Sequence, residues 1–110
     1  MTTITVMRPD AEPETQEVVG LKAEPGYQAL KAIVEPLIDG APLEHVTVLH
    51  DGERRDMFVD ECGSLNGLPP NEAATAIYRN NWLTQNPKAD PESLPAIYGP
   101  AVLFSRRVWF

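Results

Sequence analysis

Six side chains in this sequence have the types and the setting to hold an anion: Asn71, Thr75, Tyr78 and Arg79 after Pro69-Pro70, and the pair Arg106-Arg107 further on. The two prolines block any earlier helical turn, and Asn71 can accept a bond from a backbone N–H two or three residues on, so a helix is expected to begin with its cap at Asn71. Glu72 adds negative charge at the positive end of that helix. The free N–H groups of the first turn make an anion site, and Gly67 in the preceding loop allows close backbone approach. Arg79 falls two turns into the helix beside Thr75, and Arg106 and Arg107 have no acidic neighbour. If the last strand pairs near this helix, or a partner subunit brings its own tail there, the arginines could hold a phosphate while Tyr78 stacks on a base. The plainer reading of the same residues is a cap, a surface threonine, a core tyrosine and solvated arginines.

Other residues with chemical potential form no catalytic pattern. His45 and His50 are an odd number of residues apart on a strand, so they face opposite ways and cannot share a metal; solvated histidines are expected. Cys62 has no histidine base near it in sequence, and Asp56, Asp60 and Glu61 lack the spacing of a calcium loop. The Gly67-Leu68-Pro69-Pro70 turn is not a phosphate loop. The expectation is a protein that is not an enzyme and needs no cofactor or metal.

The elements that must position these residues can be read from period and punctuation. Residues 1–8 alternate Thr with Ile and Val, as in a strand with one buried face, and residues 16–21 are expected to return as an antiparallel strand after an acid- and proline-rich loop. Tyr27, Leu30, Ile33, Val34, Leu37 and Ile38 recur at spacings of three and four, which makes an amphipathic helix after Pro25-Gly26. Pro36 places a kink or stop near Glu35 and a turn through Asp39-Gly40. Leu43 to Asp60 reads as a hairpin about Asp51-Gly52, and counting outward pairs His50 with Glu53, Val48 with Arg55, Val46 with Met57 and Glu44 with Val59. Val46, Val48, Met57 and Val59 then form the core face. The opposite face, with His45, Thr47, Leu49, Arg54, Asp56 and Phe58, is expected to be partly wet or covered by another subunit.

In the helix after Asn71, Ala73, Ala74, Ile77, Tyr78 and Trp82 are expected inward, and Glu72, Thr75 and Arg79 outward. Residues 86–95 carry three prolines and no periodicity and read as a loop, and the second half of 97–104 as a buried strand that could run on to 108–110. The fold class is therefore α+β: a small single domain, β-β-α-β-β-α-β, with a largely antiparallel sheet and both helices on one face.

Composition bounds the function. The chain has 110 residues and 43% hydrophobic content, enough for one core. Sixteen acids against nine bases give a formal charge of −7, which argues against nonspecific binding to nucleic acid. A single cysteine, no basic and apolar leader pattern and no long apolar run point to a cytoplasmic protein without a membrane span. The tail Ser105-Arg106-Arg107-Val108-Trp109-Phe110 ends in large apolar side chains, and aromatics and arginine are enriched at interface anchors, so a homo-oligomer is expected.

From about Leu30 to Phe104 the chain resembles a family of small uncharacterised domains of phages and other bacterial mobile elements. The residues that carry this are Val34 to Gly40, Phe58-Val59-Asp60-Glu61-Cys62-Gly63, Leu65, Gly67-Leu68-Pro69-Pro70-Asn71, Ala74-Thr75, Tyr78 and Ile97-Tyr98-Gly99-Pro100-Ala101. It departs from the pattern at Pro36, where small residues are usual, and in the loop at 86–95. The resemblance implies an accessory protein that acts on host machinery in the host cytoplasm, by sequestering a nucleotide-like signalling molecule. The alternative is an antagonist that covers a host defence protein directly, including the acidic type that mimics DNA.

Overall fold

The computed structural model describes residues 2–39, 42–50 and 52–109. Gly40, the Asp51 half of the expected hairpin turn and Phe110 of the tail lie outside the described residues. In chain order the elements are β1 (Thr2–Met7), β2 (Glu14–Val18), α1 (Tyr27–Val34), a 3₁₀ turn (Glu35–Ile38), β3 (Leu43–His50), β4 (Glu53–Asp60), α2 (Glu72–Gln85), a short 3₁₀ turn (Pro91–Ser93) and β5 (Ala101–Phe104). The strands form one antiparallel sheet in the order β2-β1-β5-β4-β3. The last strand thus lies in the middle and joins two sequence-local hairpins. All four residues of β5 are buried, as a central strand requires.

The hairpin register is the one that counting outward from the turn predicts, from His50↔Glu53 to Glu44↔Val59. Helix α1 stops where Pro36 would remove its next hydrogen bond, and Asp39 then turns the chain in the left-handed region at φ 61°. Strand β2 begins two residues earlier than expected, at Glu14, because a tight turn with Asp10 at φ 57° brings the chain back sooner. Beyond β5 the chain does not continue as a strand. Thr3 N–H donates to Ser105 Oγ at 3.0 Å, Ser105 N–H donates to Thr3 O, and the chain then leaves the sheet.

The two helices lie on opposite faces of the sheet, which corrects the expectation that both pack on one. Ile4, Val6, Phe58, Val102 and Phe104 share one face with Leu30 and Val34 of α1, Ile38 and Val108. Met7, Val48, Met57, Val59, Ala101 and Leu103 share the other with Ala74 of α2. The reason is in the central strands: β4 and β5 are apolar at successive positions, so both faces need cover. The face of β4 that carries Asp56 and Phe58 is closed by α1 and by the chain's own tail, so no second subunit is needed to cover it.

Helix α2 is also rotated from the expected arc. Ala74, Thr75 and Asn81 are its buried residues, with Ile77 and Tyr78 half-buried, while Ala73 and Trp82 are exposed. Polar partners decide this rotation. Asn81 Oδ1 accepts the N–H of Leu49 at 2.8 Å, on the outer strand β3, and Thr75 bonds both backbone groups of Ile97. Two satisfied polar residues therefore displace the larger apolar ones that periodicity alone would bury.

Candidate functional site

At the start of α2 the expected anion site is built, but most of its side-chain groups bond the protein itself. Asn71 is buried at 1% exposure; its Oδ1 accepts Ala74 N–H at 3.1 Å, and its Nδ2 donates to the carbonyls of Met7 and Gly99, both at 2.9 Å. Thr75 Oγ1 accepts Ile97 N–H at 2.8 Å and donates to Ile97 O at 3.4 Å, so Thr75 is buried rather than at the surface. Tyr78 packs against the α2-side core. Arg79 donates to Leu94 O at 3.1 Å and ties the 86–95 loop to the helix. The depression before the helix, ≈460 Å³, is lined by Arg8 but also by Asp10, Glu12 and Glu72, a balance that repels an anion.

Arg106 and Arg107 are not beside this helix. Arg106 donates from Nε to Thr2 Oγ1 at 2.8 Å and from its terminal nitrogens to the carbonyls of Lys22, Ala23 and Arg107. Arg107 is exposed, and its Nε donates to Trp109 O at 3.3 Å. The six residues therefore divide into a structural group on α2 and an arginine pair at the opposite end of the chain, which organises the tail.

The tail packs onto the α1 side of the sheet within the same chain. Val108 is buried at 1% exposure and Trp109 is half-buried against the same core. Both are held by Asp56 on β4, whose Oδ2 accepts Val108 N–H at 2.6 Å and Trp109 N–H at 2.7 Å. Its Oδ1 takes His45 Nε2 at 2.6 Å and Thr47 Oγ1 at 3.3 Å. His45 and Asp56 meet because they project from the same face of neighbouring strands, two residues apart in register. His45 is thus bonded and stacked rather than solvated as expected: its ring lies on the indole of Trp109, with centroids 5.1 Å apart and planes at 23°.

Burial pushes the Asp56 carboxyl up, but the bond from His45, the two tail N–H groups and the charge of His45 pull it down, and the net direction is below the ordinary carboxylate value. Four donors on one buried carboxylate favour its ionised form enough to overcome desolvation.

Between α1 and this tail lies a cleft of ≈310 Å³, lined by Glu24, Gly26, Tyr27, Leu30, Val108 and Trp109. Leu30 and Val108 are buried and make its apolar part. Tyr27 and Trp109 meet edge to face, 5.9 Å between centroids and at 86°, and form an aromatic corner. Glu24 supplies a carboxylate, and the arginines stand close by contact: Arg106 on the carbonyls of Lys22 and Ala23 just before Glu24, Arg107 on the carbonyl of Trp109. Chemically this is an aromatic corner beside apolar side chains, against which a flat ring with a polar edge can lie. Among the described residues no group of three or more His, Cys, Asp or Glu is placed to hold a metal, and no helix is long and apolar enough to cross a membrane.

Comparison with known proteins returns nothing: no family model, no curated protein and no solved structure matches this chain.

Sequence reasoning missed Tyr27, Trp109, Asp56 and His45 as a group. Asp56 carries a signal that could have found it, since an acidic residue beside Met57-Phe58-Val59 in a strand is disfavoured unless it has partners. The tail had no such signal, because nothing local to Val108-Trp109 states which part of the sheet it will meet.

Proposed function

We propose that this chain is a non-enzymatic binding domain that takes up a planar, anionic, nucleotide-like small molecule in the cleft between α1 and the C-terminal tail. The observation that carries the proposal is the aromatic corner of Tyr27 and Trp109, at 86° over an apolar floor. A base entering the cleft stacks on the exposed part of Tyr27, because Trp109 already carries His45 on its ring and meets Tyr27 edge to face. Stacking of this kind contributes about 1–3 kcal/mol per base and does not depend strongly on which base is present. Glu24 can accept from an exocyclic amino group, and Arg107, whose Nε reaches the carbonyl of Trp109, is the cation assigned here to the phosphate. Together with the resemblance to phage and mobile-element domains, this chemistry fits sequestration of a signalling nucleotide in a host cytoplasm, to the detriment of a host defence.

The test uses the two tryptophans, Trp82 and Trp109. In Trp82→Phe the remaining indole reports on the cleft alone. Titration with a panel of cyclic and linear nucleotides should quench its fluorescence saturably, and Arg107→Gln should weaken the binding by about 10- to 100-fold, the value of one charge-assisted bond. Absence of quenching by every nucleotide rejects the proposal and transfers the function to the covering of a protein partner. Equal affinity for nucleosides and nucleotides would reject its anionic half.

A further inference from the structure

A cleft that uses residues after β5 as a wall needs something to hold them, because beyond Phe104 the chain has left the sheet and its ladder bonds. Arg106 is held by Thr2, Lys22 and Ala23, and beyond it the backbone of the tail is tied to the sheet through Asp56. Both N–H groups that anchor it, those of Val108 and Trp109, go to a single oxygen of Asp56, at 2.6 and 2.7 Å. The other oxygen holds His45 at 2.6 Å, and the ring of His45 is stacked on Trp109. One carboxylate thus sets the backbone position of the indole through one oxygen and the backing of its ring through the other. Asp56 itself is 1% exposed and does not line the cleft, so it acts on a ligand only through the tail.

We infer that Asp56 is the positioning residue of the binding cleft, and that the cleft exists only while the Asp56 carboxylate latches the tail. The inference rests on the cleft being the binding site, but the latch has a readout that needs no ligand. Two arrangements of residues 107–109 are set against each other in this inference: docked, with Trp109 between His45 and Tyr27, or released, with the cleft lacking one wall and the carboxylate lacking two of its donors. Ligand contacts made by Trp109 exist only in the first, so a ligand must favour it and must protect the tail. Ser105, bonded to Thr3, and Arg106, bonded to Thr2 and to the carbonyls of Lys22 and Ala23, hold the chain up to where the movable segment begins.

Hydrogen exchange at the amides of Val108 and Trp109, read by NMR on the whole chain, tests this. In the wild type both amides should exchange far more slowly than an unprotected chain end; exchange at the unprotected rate overturns the latch with no variant required. Asp56→Asn keeps the shape and one acceptor but loses the charge, and should speed exchange at both amides by at least tenfold more than at Val102 and Met57, whose protection falls only with the global stability. Asp56→Ala should release the tail further, so that the asparagine stands as a partial rescue of the alanine. A merely structural carboxylate would loosen β4 and β5 as much as the tail, and unchanged rates at 108 and 109 in Asp56→Asn would refute the inference.

With nucleotide present, wild-type exchange at the two amides should slow again, and Asp56→Asn should bind at least tenfold more weakly. If the wild type binds no nucleotide yet its tail amides are protected through Asp56, the function proposed above fails and the latch stands. If nucleotide binds equally well to the wild type and to Asp56→Asn, the function stands and the positioning role fails.

Discussion

A buried carboxylate with four donors makes the stability of this protein depend on acid in a way that can be assigned to one residue. The groups that face Asp56 are His45 and Thr47 from β3 and the N–H groups of Val108 and Trp109 from the tail; from α1, Tyr27 packs against Trp109, and Arg54 shares the strand face two residues away. Because the folded state holds the carboxyl below its ordinary value of 3.8, ionised Asp56 stabilises the fold above that value, and the contribution is lost as pH falls through the lowered value of the folded state. Asp56→Asn should therefore be less stable than the wild type at neutral pH by about 2–4 kcal/mol, the cost of weakening a buried charge network. The gap should close as pH falls below the ordinary carboxylate value. Urea unfolding of both chains across that range checks it, and a gap that stays constant with pH would mean that the charge contributes nothing.

At the scale of elements, α2 guards the outer strand β3 with a single side chain. Asn81 Oδ1 accepts the N–H of Leu49, a donor that points off the sheet edge, and so closes part of an edge that could otherwise pair with another chain. Asn81→Ala should cost about 1–2 kcal/mol in urea unfolding, since the donor lies in a part-buried place, and should raise the tendency to aggregate. A loss below about 0.5 kcal/mol would show that water replaces the amide without penalty. The same helix explains how much of the structure was legible. Pro69-Pro70-Asn71 announces its start, and Asn71 does cap, with Ala74 N–H on its Oδ1. The hairpin was equally readable, because its turn fixes register residue by residue. What local pattern could not give was which face each helix covers. That depends on β5, the last strand in sequence, inserting between β1 and β4 and presenting apolar side chains both ways. The rotation of α2 was hidden for a related reason. Asn81 and Thr75 turn inward only because Leu49 and Ile97, 32 and 22 residues away in sequence, offer backbone groups to bond. The cleft depends on a more distant contact of this kind than either, between Asp56 and Trp109, 53 residues apart.

For the whole molecule the decisive question is whether the apolar tail closes its own chain or another. Self-association was expected because Val108 and Trp109 are large and apolar near a chain end, yet both find their partners in cis: Val108 in the α1-side core, Trp109 between His45 and Tyr27. Cis and trans docking make the same contacts, so they differ in one measurable respect. A fold completed by a second copy gains stability with protein concentration by mass action, and a fold completed by its own tail does not. Val108 is 1% exposed, and Val108→Ala removes methyl groups from a packed core, which should cost about 1–3 kcal/mol through lost transfer energy and the cavity left behind. With the tail in cis, the urea midpoints of the wild type and of Val108→Ala should both stay constant over about a hundredfold range of protein concentration, with the same gap between them throughout. Trans docking predicts midpoints that rise with concentration by about 2.7 kcal/mol of stabilisation over that range for tight association. It also predicts a sedimenting species heavier than the single 12.2 kDa chain that breaks down when Val108 is truncated. Concentration-dependent midpoints would sink the cis arrangement and place the Asp56 latch, with its His45 backing, at an interface between copies.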